Sequence, residues 1–181
     1  MARRSDCAQI HQMVKDLAAL LGAPKSIPKV DAKSLEINGF DLSPPAYKCL
    51  VVEYTNNKTN GSDSHAQNSS PLIGYAFFSF SFSSWYGYEL YLEDIYLEKE
   101  HQGKGIGSKL FDSVVEVAVK SNCKNMTFLV VEGNPVNEFY KRRGAVDQTE
   151  EDKFHYCSIG YEQLKNLHQK HMNNDQSSVE K

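Results

Sequence analysis

The sequence predicts an α+β domain with an α/β/α layering: a mixed central sheet, antiparallel in its first half, flanked by helices. Three observations predict it. Residues 48–54 (KCLVVEY), 72–83 and 90–97 read as strands joined by turn-rich stretches, the mark of an antiparallel meander. Residues 126–131 (MTFLVV) are nearly all apolar and short, which suits a strand covered on both faces by a parallel neighbour. Between these, Ile106, Leu110, Val114 and Val117 recur at spacings of four, four and three, with Phe111, Val115 and Ala118 beside them. That is a helix with a broad apolar face, long enough to cross between parallel strands.

The remaining elements follow in order. Asp6 is placed to cap a helix carrying Ile10, Val14, Leu17 and Leu21 on one face, ended by Gly22 and Pro24. Residues 23–45 hold four of the six prolines, with a short helix near 32–37 and a loop at Ser43-Pro44-Pro45. Residues 55–71, rich in Asn, Ser and Gly, read as a flexible hairpin loop without chemistry of its own. Trp85-Tyr86-Gly87 turns the chain into the central strand. Asn134-Pro135 starts a helix that runs to about Arg143 and stops at Gly144. A last strand is expected at 154–159 and a helix at 161–171. On this reading residues 1–172 form one domain, and 173–181 are a disordered tail.

At 181 residues the chain is long enough for one well-filled core. Its formal charge of −3 argues against a protein built to grip nucleic acid or an anionic membrane. Cys7, Cys49, Cys123 and Cys157 form no Cys-x-x-Cys pair, and no leader or spanning stretch is evident. Reduced thiols and a cytoplasmic location are the expectation. His168-x-x-His171 lacks a third ligand, so no metal is expected.

The stretch with most chemical content is the turn between the central strand and the long helix. Gly103, Gly105 and Gly107 fall at every second position, where backbone N–H groups can converge on one point at the positive end of the helix. Such a turn suits a phosphate or pyrophosphate. It is neither a P-loop, since no Gly-Lys-Ser/Thr follows four free positions, nor the dinucleotide fingerprint, whose spacing differs. Gln102-x-x-Gly105-x-Gly107 resembles the acyl-CoA pyrophosphate loop of the GNAT superfamily of N-acetyltransferases. YLEDIYL (91–97), QGKGIGS (102–108), FLVVEGN (128–134) and FYKRRGA (139–145) are similar to the diamine acetyltransferases, which include spermidine/spermine N1-acetyltransferases and thialysine-acetylating relatives.

The resemblance implies acetyl transfer from acetyl-CoA to a small primary amine, directly within a ternary complex, by a homodimer. It assigns Gln102, Gly103, Lys104, Gly105, Ile106, Gly107 and Ser108 to the cosubstrate's pyrophosphate, and Asn134 to a further CoA contact. The central strand and the next one are expected to splay, so that Ile95, Tyr96 and Leu97 offer backbone groups to the acetyl-pantetheine arm. Arg142 and Arg143 either neutralise CoA phosphates or form a solvated helix end.

The reaction sets its own demands. An alkylammonium has a pKa near 10, so roughly one molecule in a thousand is a free amine at pH 7. A carboxylate near the amine can accept that proton directly or through water. Glu93 matches the family's substrate-contacting glutamate, and Tyr140 its general-acid tyrosine, which protonates the departing thiolate. In an ideal strand Asp94 points away from Glu93, so the two are not expected to pair. Trp85, Asp94 and Asp152 complete the expected substrate contacts.

Two features depart from the polyamine-acetylating pattern. Those enzymes carry a Tyr-Glu pair and further acids after the first helix, where this chain has Leu20-Leu21-Gly22-Ala23-Pro24-Lys25. Asp152 stands where the family places a glutamate. A smaller amine, a diamine or lysine-like side chain, is therefore favoured over a tricationic polyamine. The competing readings are a protein or peptide N-acetyltransferase and a non-catalytic acyl-CoA-binding protein. Family members also have a strand before the first helix, where only residues 1–5 precede Asp6 here.

Overall fold

In the computed structural model the meander forms in sequence order. β1 (Lys48–Glu53), β2 (Leu72–Ser83) and β3 (Gly87–Leu97) pair antiparallel, and β4 (Asn125–Phe128) joins β3 in parallel, giving the order β1-β2-β3-β4. The structure describes all residues except 25, 56–69, 154–155 and 180–181, with the backbone alone for 171–179. Most of the expected loop at 55–71 lies outside the described residues, as do the first two positions of the expected strand at 154–159. The chain divides into two units, Met1–Glu132 and Gly133–Lys181.

In the first unit, cross-strand pairing sorts the side chains onto two faces. Tyr75 lies opposite Tyr96 and Phe77 opposite Asp94, on the face covered by α1 (Cys7–Leu20) and α2 (Ala32–Glu36). Cys7, Ile10, Met13 and Leu35 pack there against Cys49, Tyr75 and Phe77. Ala76, Phe78, Leu90 and Leu92 line the other face. The buried residues Leu110, Phe111 and Val114 of α3 (Ile106–Lys120) come from the 3.6-residue stripe the sequence displays. Phe111 meets Phe128 edge to face at 6.4 Å between ring centres. The parallel register is fixed by a buried pair at its start, where the Asn125 amide donates to the Glu89 carboxylate at 2.8 Å.

Several expectations need correction. Asp6 turns its carboxylate back to accept from Arg3 N at 2.7 Å, so it caps the single 3-10 turn Arg4–Asp6 rather than α1 itself. Ala2 N donates to Cys49 O at 2.8 Å and Arg3 pairs with Glu53, so the segment before α1 touches β1 through one backbone bond and an ion pair instead of a strand. β4 ends at Phe128, three residues short of the expected limit, because Leu129 and Val131 are exposed and have no sheet neighbour among the described residues.

In the second unit, α4 (Asn137–Lys141) starts later than expected. Asn134 Oδ1 accepts from Val136 N and Asn134 O from Asn137 N, which spends residues 134–136 on a turn. α5 (Gln148–Asp152) is capped by Asp147, and α6 (Tyr161–Val179) runs through residues 173–179, which the composition reading placed in a disordered tail. Residues 156–160 are irregular rather than strand, and Tyr156 and Ile159 are exposed.

Candidate active site

The site begins where β3 outlasts its partner. β4 pairs with β3 only from Glu89–Asn125 to Leu92–Phe128, while β3 continues to Leu97. From Glu93 onward one edge of β3 has no strand beside it among the described residues. Glu98 N donates to Ile73 O, and ladder alternation then directs the Tyr96 backbone toward β2 and the Ile95 and Leu97 backbones toward the open edge. Ile95 and Leu97 therefore turn backbone groups away from β2. The Tyr96 backbone does not, because it is spent on β2. The Leu97 carbonyl already accepts from Gln102 Nε2 at 2.8 Å, which ties the glycine turn to the strand end.

The turn itself has an anion site's geometry. Gly103 and Gly105 adopt φ of +72° and +77°, conformations an L side chain disfavours, and nothing lies within 4 Å of where a Cβ would stand. Gly105 is the N-cap of α3, and no side chain caps the helix or places an acid in its first turn. The N–H groups of Ile106, Gly107 and Ser108 thus point out without intrahelical acceptors, at the positive end of a 15-residue helix. Lys104 Nζ bonds back to Glu100 O at 2.7 Å, so its charge sits on the same turn.

A β-bulge organises the acids. Phe77 faces Asp94 and Phe78 faces Leu92, so Glu93 is the extra residue on β3. The bulge shifts the alternation by one, and Asp94 joins Glu93 on the α1 face instead of pointing away from it. Glu93 is exposed and Asp94 half-buried. Burial first, then the Glu93 charge, push the Asp94 carboxyl up to about 6. The sequence contained no sign of the bulge, since neither Glu93 nor its neighbours is a glycine; only the register reveals it.

Trp85 lies in the β2–β3 turn, 72% exposed, with its N–H on Ser83 Oγ. It precedes Gly87, the start of β3, which itself stands about 20 Å along the strand from Glu93 at ~3.3 Å per residue, so this chain does not bring the two together. On the second unit, Tyr140 is buried on α4 beside Phe139, and burial raises its hydroxyl pKa. Arg142 Nε donates to Glu138 O, and the Arg143 guanidinium stacks 3.8 Å over the Phe139 ring. Asp152 ends α5 and is exposed. Among the described residues no cluster of His, Cys, Asp or Glu could hold a metal, and no helix is long and apolar enough to cross a membrane.

A sheet that opens beyond its parallel pair, with a glycine-rich helix start at the end of the longer strand, is the layout that the resemblance to acyl-CoA-dependent transferases implies. Residues 13–145 match the acetyltransferase (GNAT) family, and the chain belongs to that family. It is similar to thialysine N-epsilon-acetyltransferase of Bos taurus, 32% identical over 168 residues that cover 92% of this chain and 94% of that protein. It is also similar to spermidine/spermine N(1)-acetyltransferase-like protein 1 of Homo sapiens, 32% identical over 90% of this chain and 22% of that longer protein. The crystal structure of a probable acetyltransferase shares the fold, with a TM-score of 0.64 at 18% identity over 88% of this chain and 94% of that one. The chain is an N-acetyltransferase, and enzymes of this family use acetyl-CoA as cosubstrate.

Proposed function

We propose that the protein acetylates a primary amine of a small cationic acceptor, a diamine or a lysine-like amine, by direct attack within a ternary complex. The observation that carries this reading is the placement of two carboxylates, Glu93 and Asp94, on one face of β3 where its edge opens. The residues present fit acetyl-CoA. The uncapped start of α3 suits its diphosphate, Gly103 and Gly105 leave the turn clear of side chains, and Ile95 and Leu97 can pair with its pantetheine arm. Bound there, acetyl-CoA supplies an activated thioester.

The protein's own residues do the rest. An ammonium acceptor must lose a proton at a cost of about 4 kcal/mol at pH 7. The carboxylate pair attracts the ammonium, and Glu93 accepts its proton, directly or through an ordered water. Asp94, held at about 6, stays ionised at neutral pH yet is a stronger base than an ordinary aspartate. Tyr140 delivers a proton to the thiolate as the C–S bond breaks; its burial keeps the phenol protonated and able to donate. Asn134, Arg142 and Arg143 are further CoA contacts, and Asp152 an acceptor contact. Residues 1–172 work as one catalytic domain in a cytoplasmic homodimer, and the four free thiols agree with a reducing compartment.

Turnover of putrescine, spermidine, spermine, lysine and thialysine, followed by thiol release from acetyl-CoA, tests the reading. Small amines with two cationic groups are expected to give the highest kcat/KM. Turnover confined to protein or peptide acceptors would contradict it.

A further inference from the structure

The end of β3 is held by one side chain seated between two glycines. Leu97, the last residue of β3, is 8% exposed and lies opposite Gly74 of β2. A Cβ on Gly74 would stand 2.8 Å from the Tyr96 carbonyl oxygen and 3.0 Å from Leu97 Cδ1, closer than such atoms pack. The leucine methyl can turn aside. The carbonyl belongs to the backbone and can withdraw only if β3 moves off β2, toward its open edge. A glycine inside a strand weakens it, and its use there is to admit another backbone at close range.

The other methyl of the same leucine reaches α3. Leu97 Cδ2 lies 3.9 Å from where a Cβ on Gly107 would stand, at ordinary contact distance from the first turn of the helix. The Leu97 carbonyl accepts from Gln102 Nε2 at 2.8 Å. One residue thus ties together β2, the glycine turn and the start of α3. The same ladder carries its placement toward the acids, because Tyr75 faces Tyr96, Ala76 faces Ile95 and Phe77 faces Asp94.

We propose that Gly74 is a positioning residue for acetyl transfer. By presenting no side chain it lets Leu97 seat against β2, and so fixes the span from the start of α3 to the acids on β3. The inference rests on the reading that residues 102–108 hold the diphosphate of acetyl-CoA and that Glu93 and Asp94 receive the amine. The arm between diphosphate and thioester has a fixed covalent length, so that span must match it. A misplacement of about 1 Å at the reacting atoms costs on the order of a hundredfold in rate.

The test measures kcat with the best acceptor of the panel above and the acetyl-CoA Kd by titration calorimetry. It compares wild type, Gly74→Ala, Leu97→Met and Phe78→Leu. Gly74→Ala is expected to lower kcat at least tenfold while Kd stays within about threefold, since the diphosphate is still held and only the far end of the arm is misplaced. Leu97→Met, a volume-conserving exchange, loses the branch that spans the two glycines; kcat is expected to fall about threefold with Kd unchanged. Phe78→Leu loosens the same face of β2 away from the seat, and is expected to lower the thermal midpoint with kcat within about twofold of wild type. An unchanged kcat in Gly74→Ala overturns the proposal, as does a Kd that weakens by the factor by which kcat falls. If Gly74→Ala does not fold, Leu97→Met decides by the same two readings. Wild-type protein that binds no acetyl-CoA, or acetylates no amine of the panel, overturns the proposal together with the reading beneath it, and is told apart because the failure precedes any substitution.

Discussion

Asp94 is the residue whose placement most changes the chemistry. Its carboxyl, pushed up to about 6, holds a proton more tightly in the folded chain than in the unfolded one. Stability should therefore fall as pH rises from about 4 to about 6, by up to about 3 kcal/mol for a shift of two units. Asp94→Asn removes that dependence. Urea unfolding at pH 4.5 and pH 7 is expected to show the variant gaining on wild type at the higher pH, and an equal difference at both would contradict it. Tyr140 makes a second residue-scale case. Tyr140→Phe should bind acetyl-CoA as wild type does and lose roughly a hundredfold or more in kcat; unchanged turnover would remove Tyr140 from proton transfer. The sequence resemblance singles out Glu93, Asp94 and Tyr140 as candidates. That the two acids share a face was not legible, because alternation in an ideal strand cannot foresee one extra residue.

At the scale of elements, the start of α3 shows structure and function pulling apart. Gly107 has ordinary helical geometry, and a Cβ there would meet only Leu97 Cδ2 at 3.9 Å. Alanine should suit the helix better by about 0.5–1 kcal/mol. A ligand that approaches the backbone there favours glycine over alanine. Gly107→Ala is expected to raise the thermal midpoint slightly and to weaken acetyl-CoA binding about tenfold, as measured by titration calorimetry. Gly105→Ala, at φ +77°, should weaken both binding and folding, the latter by about 1–2 kcal/mol. β4 shows the limit of reading elements from sequence. MTFLVV is apolar throughout, yet only its first half pairs, because strand length is set by the neighbour's course and β3 leaves it after Leu92. The pairing Asn125–Glu89 that fixes this register was likewise invisible, since it joins residues 36 positions apart.

At the scale of the molecule, the order of strands, the crossover helix and the glycine turn could all be read in advance. They rest on local periodicity and on glycines within a single stretch. What escaped was set by which partner a group finds, near or far along the chain. Asp6 was expected to cap α1, but its carboxylate returns to Arg3. Of the strand expected at 154–159, the described residues 156–159 stay irregular, since strand propensity alone does not make a strand. The lack of acids at residues 20–25, by contrast, is plain in the sequence itself.

The catalytic reading depends on backbone N–H groups at residues 102–108 holding the diphosphate of acetyl-CoA. Titration calorimetry of the folded protein with acetyl-CoA and with S-acetylpantetheine, which lacks the diphosphate, measures this directly. The account predicts clear association with acetyl-CoA and at least a tenfold weaker one with the truncated thioester. Equal affinity for the two, or no heat of binding with acetyl-CoA, would contradict it.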